Sequence, residues 1–374
     1  MDSSDDVAPP AVAAPLRLEP FRAMTLTGGR VGDPASARAF ARPYRDVARR
    51  LARWERAGRL TRDREPAVYL HEYTVGGITV RGLVGALDLS RRARADQLPA
   101  VLPHEAIHLR QSQDLADRMR EMELNPAPIL LVHRGPAEVR DLVRAVARRE
   151  PDHHLQDRAG HSQRVWAVRA LDELALLERG LSGTHALLAD GHHRYAAYLT
   201  LQAAAPGTAW DRGLAMLVDQ DDTPLFLGAI HRVLERTTLA DVADAVGRLP
   251  GLTCTPAAEM TAIAALAADT MVLTDGTAWA VLRMTARDRP AVEVLHEDLV
   301  PRLPRTGGGV THHHSVHDLL TRMDRDRDVA VLMPAPDFDL VLSTVAAGRL
   351  LPEKATSFQP KPPLGVVMRS LRDG

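Results

Sequence analysis

Cysteine and long apolar runs are scarce in this chain, and each shortage excludes a class of protein. The 374 residues include one cysteine, Cys254. An internal disulfide framework is therefore excluded, which is typical of the reducing cytoplasm. No apolar run approaches the length of a membrane span. Residues 1–6 are acidic, unlike a basic secretion signal, and we expect residues 1–15 to form a disordered leader. These features predict a cytoplasmic protein with no membrane partner.

An excess of positive charge is also missing. The 47 basic and 48 acidic residues give a formal net charge of −1, whereas proteins that bind nucleic acid usually carry a basic excess or a basic stripe. The one candidate stripe, residues 42–64, is interrupted by Asp46, Glu55 and Asp63. Its apolar residues recur at helical spacing, which predicts a solvated amphipathic helix. No nucleic-acid partner is expected, and a homo-oligomer is left open.

Lysine is nearly absent, because only Lys354 and Lys361 interrupt an otherwise all-arginine set of basic residues. An ammonium group is a compact point charge and a guanidinium is a broad fork, so the two are not equivalent where one anion must be met. The pair of lysines therefore indicates that residues 352–361 reach a binding site. The alternative is a surface loop.

Strand and helix patterns alternate along the chain and predict a mixed α/β or α+β fold. Residues 67–74 and 78–89 read as two strands joined at Gly76-Gly77, a tight hairpin turn. A helix is expected from just after Pro103 to about residue 123, and a strand at residues 291–295. His153-His154 is expected in a polar loop, and His312-His313-His314 in a flexible surface turn.

The strongest local pattern is a strand–turn–helix junction at residues 185–200. An apolar run at 185–189 is broken by Asp190-Gly191, and a helix follows that begins with His192-His193-Arg194. Unpaired N–H groups and the positive end of the helix dipole collect at such a start and attract phosphate. Arg194 adds a forked cation that suits phosphate oxygens. The alternative is a polar cap without function.

Two other stretches could carry chemistry. His104-Glu105-Ala106-Ile107-His108 matches the H-E-x-x-H zinc pattern, in which two histidines share one helix face and the glutamate polarises a metal-bound water. No third ligand is evident, and Glu105 could instead be a general base acting on a hydroxyl. His231-Arg232 follows a predicted strand and could donate to an anion, although such pairs more often satisfy structural contacts.

The ordered set of motifs resembles the bacterial family called domain of unknown function 1015, from end to end. Residues 98–205 also resemble the core shared by ParB-type partition proteins, sulfiredoxins and archaeal free-serine kinases. The segments that carry the resemblance include Leu102-Pro103-His104-Glu105, Asn125-Pro126-Ala127-Pro128-Ile129, Ala189-Asp190-Gly191-His192-His193-Arg194-Tyr195, His231-Arg232 and residues 352–361.

The resemblance implies four segments and a set of residue roles. The segments are a leader at 1–15, an N-terminal α/β segment at 16–97, a ParB/sulfiredoxin-like nucleotide-binding core at 98–245 and a C-terminal α/β domain at 246–374. Glu105 would be the base, and His104 would be a second catalytic residue and an anion contact. The nucleotide phosphates would be held by Asp190, Gly191, His192, His193 and Arg194, with His231, Arg232, Lys354 and Lys361 as supplementary contacts.

The chain departs from the family pattern in two places. Residues 27–40 are short, and only Asp33-Pro34-Ala35-Ser36 resembles the usual N-P-x-S segment. The usual K-S-T reads Lys354-Ala355-Thr356. Sulfiredoxin's cysteine is replaced by a histidine, so that redox chemistry is not expected.

The function expected from this resemblance is transfer of a phosphoryl group to the hydroxyl of a small metabolite such as free serine. ADP, ATP or CTP would be the donor, with Mg²⁺ as cofactor. A ParB-like switch that binds and hydrolyses nucleotide is the alternative, and a zinc hydrolase using His104, Glu105 and His108 is the third reading.

Overall fold

The chain divides into two compact units, each described here by itself. In the computed structural model the described residues are 6–32, 46–94, 96–97, 99–285, 288–304 and 307–372. The first unit comprises Met1–Leu225 with Pro360–Gly374, and the second comprises Phe226–Gln359. Residues 33–36, which resemble a family motif, lie outside the described residues. Within those residues, no helix is both long and apolar enough to cross a membrane.

Strands β1–β24 and helices α1–α10 are numbered in chain order. The strands of the first unit are β1 Asp6–Val7, β2 Val12–Ala13, β3 Leu18–Glu19, β4 Ala23–Leu26, β5 Leu60–Arg62, β6 Val68–Val75, β7 Ile78–Asp88, β8 Pro99–Leu102, β9 Ile107–His108, β10 Leu124–Asn125, β11 Ile129–His133, β12 His153–Gln156, β13 Ser162–Val168, β14 Ala186–Asp190, β15 Arg212–Asp219 and β24 Met368–Ser370. Its helices are α1 Val47–Arg56, α2 Leu109–Met122, α3 Ala137–Ala147, α4 Leu171–Ser182 and α5 His192–Ala204, with 3-10 turns at Gly28–Arg30 and Ala209–Asp211.

A ten-stranded mixed sheet forms the centre of the first unit. Its order is β12-β13-β6-β7-β15-β11-β14-β8-β2, with β3 also paired to β7. β11 lies parallel to β15 and antiparallel to β14. All five residues of β11 are buried, as expected of an apolar strand covered on both faces. A four-stranded sheet, β10-β24-β4-β5, and the pair β1-β9 complete the unit.

The second unit is built on a six-stranded antiparallel sheet. Its strands are β16 Phe226–Gly228, β17 His231–Leu234, β18 Leu252–Ala257, β19 Thr270–Thr274, β20 Trp279–Met284, β21 Val310–His313, β22 Val329–Leu332 and β23 Ser357–Gln359. Its helices are α6 Leu239–Val246, α7 Glu259–Ala264, α8 Ala291–Glu293, α9 Val316–Arg322 and α10 Phe338–Ala346, with a π-helix at Val294–Leu299 and a 3-10 turn at Val300–Arg302. The sheet order is β18-β20-β19-β22-β17-β21, and β16 pairs with β23.

The mixed α+β fold and the predicted hairpin are confirmed. β6 and β7 pair antiparallel from Tyr69–Val84 to Val75–Ile78. Gly76 and Gly77 both have positive φ, at 58° and 80°, which a two-residue hairpin turn of type I′ requires. The basic segment does contain an amphipathic helix, α1, which buries Val47 and Leu51, and it is followed by the short strand β5.

The expected disordered leader is wrong for residues 6–15. β1 pairs with β9, and β2 pairs with β8. The hydroxyl of Tyr195 donates to the carbonyl of Pro10 at 2.9 Å. Residues 6–15 are ordered by these backbone pairings and by their apolar side chains. Their Ala- and Pro-rich composition did not indicate this structure.

Several other local predictions are corrected. Residues 291–295 form α8 and the start of the π-helix rather than a strand, since a short apolar run does not distinguish the two. His153-His154 lies in β12, and His312-His313 lies in β21. β6 and β7 lie N-terminal to residue 97 but share the central sheet with β11, β14 and β15, and residues 226–245 fall in the second unit. The compact units therefore have different boundaries from the predicted segments.

Candidate functional site

The junction between β14 and α5 has the predicted strand–turn–helix form. β14 ends at Asp190, and Gly191 follows with φ at 94°. A Cβ at Gly191 would lie 3.1 Å from Arg194 and 3.1 Å from Ile129, so both the backbone angle and the space favour glycine there. No side chain caps the helix at Gly191. The start of α5 therefore retains the positive end of its dipole for a ligand.

Two cations converge on the Asp190 carboxylate. Arg194 Nη2 lies 2.7 Å from Asp190 Oδ2, and Lys361 Nζ donates to Asp190 Oδ1. The other arm of Arg194 donates to the carbonyl of Pro128 at 2.8 Å. Because one carboxylate meets two cations, a net positive charge remains beside the helix start. Lys361 therefore lies beside the helix start, within the same unit, and its predicted contact with phosphate stays a prediction.

The P-H-E segment, Pro103-His104-Glu105, lies directly against this helix start. The backbone N–H of His108 donates to His193 Nε2 at 3.1 Å, and that of His104 approaches His192 Nε2 at 3.5 Å. The His104 and His192 rings meet edge to face with centroids 4.6 Å apart, and the His108 and His193 rings stack at 5.8 Å. Two histidine pairs therefore join two segments that are far apart in sequence.

These tertiary contacts explain why the predicted helix starts late. Residues 103–108 are not helical, β9 covers only Ile107–His108, and α2 begins at Leu109. The backbone N–H groups that would open a helix are instead used on the imidazoles of α5. The two histidines of the zinc pattern therefore do not share a helix face. Among the described residues, no group of three or more His, Cys, Asp or Glu side chains is arranged to hold a metal ion.

His104 and His192 are neutral side chains inside the site. His104 is fully buried, and burial lowers its pKa to about 4, although a hydrogen bond to the Leu188 backbone opposes the shift. The pKa of His192 is held well below its usual range by burial and by the neighbouring His104, His193 and Lys361. Near neutral pH both imidazoles are uncharged, so the positive charge of the site comes from Arg194, Lys361 and the helix.

Glu105 is the acidic side chain of the P-H-E segment, and its side chain is 16% exposed. Its Oε1 lies 3.7 Å from His104 Nε2. His104 has no exposed surface and lies beside Glu105. The assignment of His104 as catalytic stays a prediction.

Three sequence candidates lie in the second unit. Arg232 is fully buried and donates to the carbonyls of Ile230, Glu353 and Lys354. His231 Nδ1 accepts from the Met333 N–H at 3.1 Å. Arg232 is therefore suited to holding backbone rather than to contacting a ligand, while Lys354 is half exposed.

Sequence reasoning missed the backbone acceptors of the site. The carbonyl of Pro128, at the residue before β11, orients Arg194, and a carbonyl leaves no signal in a sequence. His108 was considered only as a zinc ligand, whereas its backbone N–H binds His193.

The chain belongs to the family described as protein of unknown function (DUF1015), whose model matches residues 4–302. No curated protein matches it. Among solved structures, a free serine kinase in complex with AMP is 15% identical, with a TM-score of 0.39, over 72% of this chain and 88% of its own. SbnI with a C-terminal truncation from Staphylococcus aureus is 11% identical, with a TM-score of 0.44, over 76% and 87%. A conserved hypothetical protein from Pyrococcus furiosus is 17% identical, with a TM-score of 0.38, over 73% and 93%. Identities this low do not transfer an activity.

Proposed function

We propose that this protein is a nucleotide-dependent phosphotransferase that acts on the hydroxyl of a small metabolite such as free serine. The observation that carries the proposal is the pairing of His104 with His192 and of His108 with His193. These contacts join a segment bearing one carboxylate, Glu105, to a helix start that carries Arg194 and lies beside Lys361. A transferase of this class needs both features in one place.

The helix start is the part of the site suited to phosphate. The uncapped first turn of α5 offers backbone N–H groups and a positive dipole end. Arg194 and Lys361 add charge, and Asp190 holds both side chains in position. Phosphoryl transfer depends mainly on positioning and on neutralising phosphate charge. We assign the nucleotide phosphates to residues 190–194 and Lys361.

Glu105 is assigned as the general base. Its carboxylate would accept the proton of the acceptor hydroxyl while the hydroxyl oxygen bonds to the terminal phosphorus and the nucleotide departs with one phosphate fewer. His104 is fully buried next to Glu105, which limits the movement of the glutamate side chain. The acceptor proton therefore ends on Glu105 and the phosphoryl group on the acceptor oxygen.

Mg²⁺ would bind at this site only together with the nucleotide. Both oxygens of Asp190 are engaged by cations, and Mg²⁺ commonly retains water and is bound through substrate phosphates with one or two carboxylates. Glu105 is the other carboxylate of this site that could bind the ion. The ion would supply charge neutralisation on the phosphates.

Phosphorus NMR of the purified full chain tests the proposal. The protein is incubated with Mg²⁺ and with ADP, ATP or CTP in turn, with and without serine. We expect a phosphomonoester signal that requires serine and is lost in Glu105→Gln, which keeps the size of the side chain. The matched control is Glu121→Gln, an exposed glutamate of α2, which should leave the signal unchanged.

The alternative switch function predicts a different result. Release of inorganic phosphate without serine, lost in Arg194→Met and retained in Glu105→Gln, would contradict the transferase and favour nucleotide hydrolysis. Absence of turnover and of any nucleotide-induced shift with all three nucleotides would refute both assignments.

A further inference from the structure

Lys361, one of the two lysines of the chain, lies in a stretch of backbone that can form few hydrogen bonds of its own. The stretch reads Pro360-Lys361-Pro362-Pro363, and each proline lacks a backbone N–H. Pro360 is buried, whereas the Lys361 side chain is half exposed and donates to Asp190 Oδ1. The position of this backbone therefore depends on groups from elsewhere in the first unit.

Tyr73 of β6 provides such a group. Its hydroxyl donates to the carbonyl of Pro360 at 2.7 Å, and both residues are buried. Burial raises the pKa of the Tyr73 hydroxyl, so the group stays protonated near neutral pH and remains a donor. The carbonyl of Pro360 is thus attached to the central sheet by a residue that is distant in sequence.

The Tyr73 ring is held in turn by its neighbours in the sheet. Tyr73 has no exposed surface, and its ring contacts that of His71, two residues earlier on β6, with centroids 5.2 Å apart. Gln163 of β13 lies directly opposite Tyr73 in the strand register and hydrogen-bonds to His71 Nε2 at 2.9 Å. The Tyr73 hydroxyl therefore has little freedom to move away from Pro360.

The prolines on either side extend this restraint from Pro360 to Lys361. The ring of Pro360 fixes its own φ. A residue that precedes a proline, as Lys361 precedes Pro362, is disfavoured in the helical region. Once the Pro360 carbonyl is fixed, few backbone conformations remain for Lys361. Its side chain therefore leaves the backbone in a defined direction, and its ammonium group donates to Asp190.

We propose that Tyr73 is a positioning residue of the phosphate site, which through Pro360 keeps the Lys361 ammonium group at Asp190 before a ligand arrives. Tyr73 does not itself contact the ligand, because it has no exposed surface. A lysine side chain is flexible, and binding is stronger when its conformations are restricted in advance. The part of this inference that concerns phosphate rests on the proposed function, whereas the placement of Lys361 does not.

Proton–carbon NMR of lysine tests the placement without any ligand. Because the chain has two lysines, the full chain labelled with carbon-13 lysine gives two ε-methylene signals, and Lys361→Met identifies that of Lys361. We expect Tyr73→Phe to move this signal in the same direction as Asp190→Asn, which removes the charge of the carboxylate. The matched control is Tyr69→Phe, also buried on β6. The Tyr69 hydroxyl donates to Asp63 Oδ2 at 2.7 Å, and its loss should leave the Lys361 signal in place.

Calorimetric titration of the full chain with ADP and Mg²⁺ tests the consequence for binding. Tyr73→Phe removes one neutral hydrogen bond and should raise the dissociation constant about threefold to tenfold. Lys361→Met removes a charge-assisted contact and should raise it at least about tenfold. In the double variant Tyr73→Phe should add less than about twofold to the effect of Lys361→Met, since both changes act on the same contact. Tyr69→Phe should bind ADP as the unaltered chain does.

A second variant guards against loss of structure in Tyr73→Phe. Pro362→Ala frees the backbone of Lys361 without altering Tyr73, and it should move the Lys361 signal in the same direction but by less. A Lys361 signal that stays in place in both variants while it moves in Asp190→Asn would overturn the proposal, and so would equal displacement by Tyr73→Phe and Tyr69→Phe. Full additivity in the double variant would also overturn it. Unaltered ADP binding by Lys361→Met would instead refute the assignment of Lys361 to the nucleotide phosphates, and the lysine signal would still decide the role of Tyr73.

Discussion

Mild acid should destabilise the first unit because several of its histidines are buried without charge. His71, His104 and His133 are 2%, 0% and 4% exposed. Burial lowers the pKa of each to about 4. In the unfolded chain these side chains should titrate near about 6.5. Between these two values the unfolded state binds more protons than the folded state, so stability is complete above the higher value and is lost as the pH falls.

The size of this effect follows from the two pKa values. Going from pH 7 to pH 5 should cost about 2 kcal/mol for each of these histidines and about 6 kcal/mol for all three, by proton linkage. A whole domain is typically stable by about 5–15 kcal/mol. The loss is therefore large enough to bring the first unit close to its unfolding midpoint.

Urea denaturation at several pH values measures the effect. Tryptophan fluorescence is a suitable signal, since Trp54, Trp166 and Trp210 belong to the first unit. His71→Gln removes one titrating group and retains an amide able to donate to Gln163 Oε1, which the imidazole meets at 2.9 Å. We expect this variant to lose about 2 kcal/mol less than the unaltered chain between pH 7 and pH 5. His154→Gln, at an exposed position, is the matched control. Equal pH dependence in His71→Gln and the unaltered chain would refute the reasoning.

Two further substitutions test single contacts. Gly191→Ala should destabilise the first unit by about 1–3 kcal/mol, because φ is positive there and the new Cβ would crowd Arg194. Gly160 has φ at 82° and open space around it, so Gly160→Ala measures the cost of the backbone angle alone. An equal loss of unfolding free energy in both variants would exclude crowding. Arg232→Met should cost the second unit about 2–4 kcal/mol, since it leaves buried carbonyls without their donor. Arg283→Met, exposed on β20, should change thermal stability by less than about 0.5 kcal/mol, and a similar loss in both would show that the carbonyl contacts do not matter.

Local sequence patterns predicted the elements whose stability is local. The β6–β7 hairpin follows from two glycines that tolerate positive φ between apolar strands, and the β14–α5 junction follows from Asp190-Gly191 between an apolar run and a helix. Neither needs information from elsewhere in the chain. The non-helical form of residues 103–108 could not be predicted in this way. It depends on backbone N–H groups that donate to His192 and His193, almost ninety residues away.

The same distinction between local sequence and distant contacts applies to the candidate site. Arg194 and Glu105 were predicted as site residues from residue type and position in a motif, which needs no knowledge of the fold. The neutral state of His104 and the buried, backbone-holding role of Arg232 depend on burial, which residue type alone does not specify. His296 had no sequence signal. Its partner Arg232 comes from strand β17, the parallel ring of His312 comes from strand β21, and Arg232 also contacts the turn at Lys354.

The sequence by itself determined the mixed α+β class, the hairpin, the strand–turn–helix junction at residues 185–200 and the identity of the charged groups, since these depend on neighbours within a few residues. Tertiary structure alone decided which of those groups meet, which are buried and which carry charge. Those outcomes depend on pairing between distant segments and on removal of side chains from water, and neither leaves a periodic trace in the sequence.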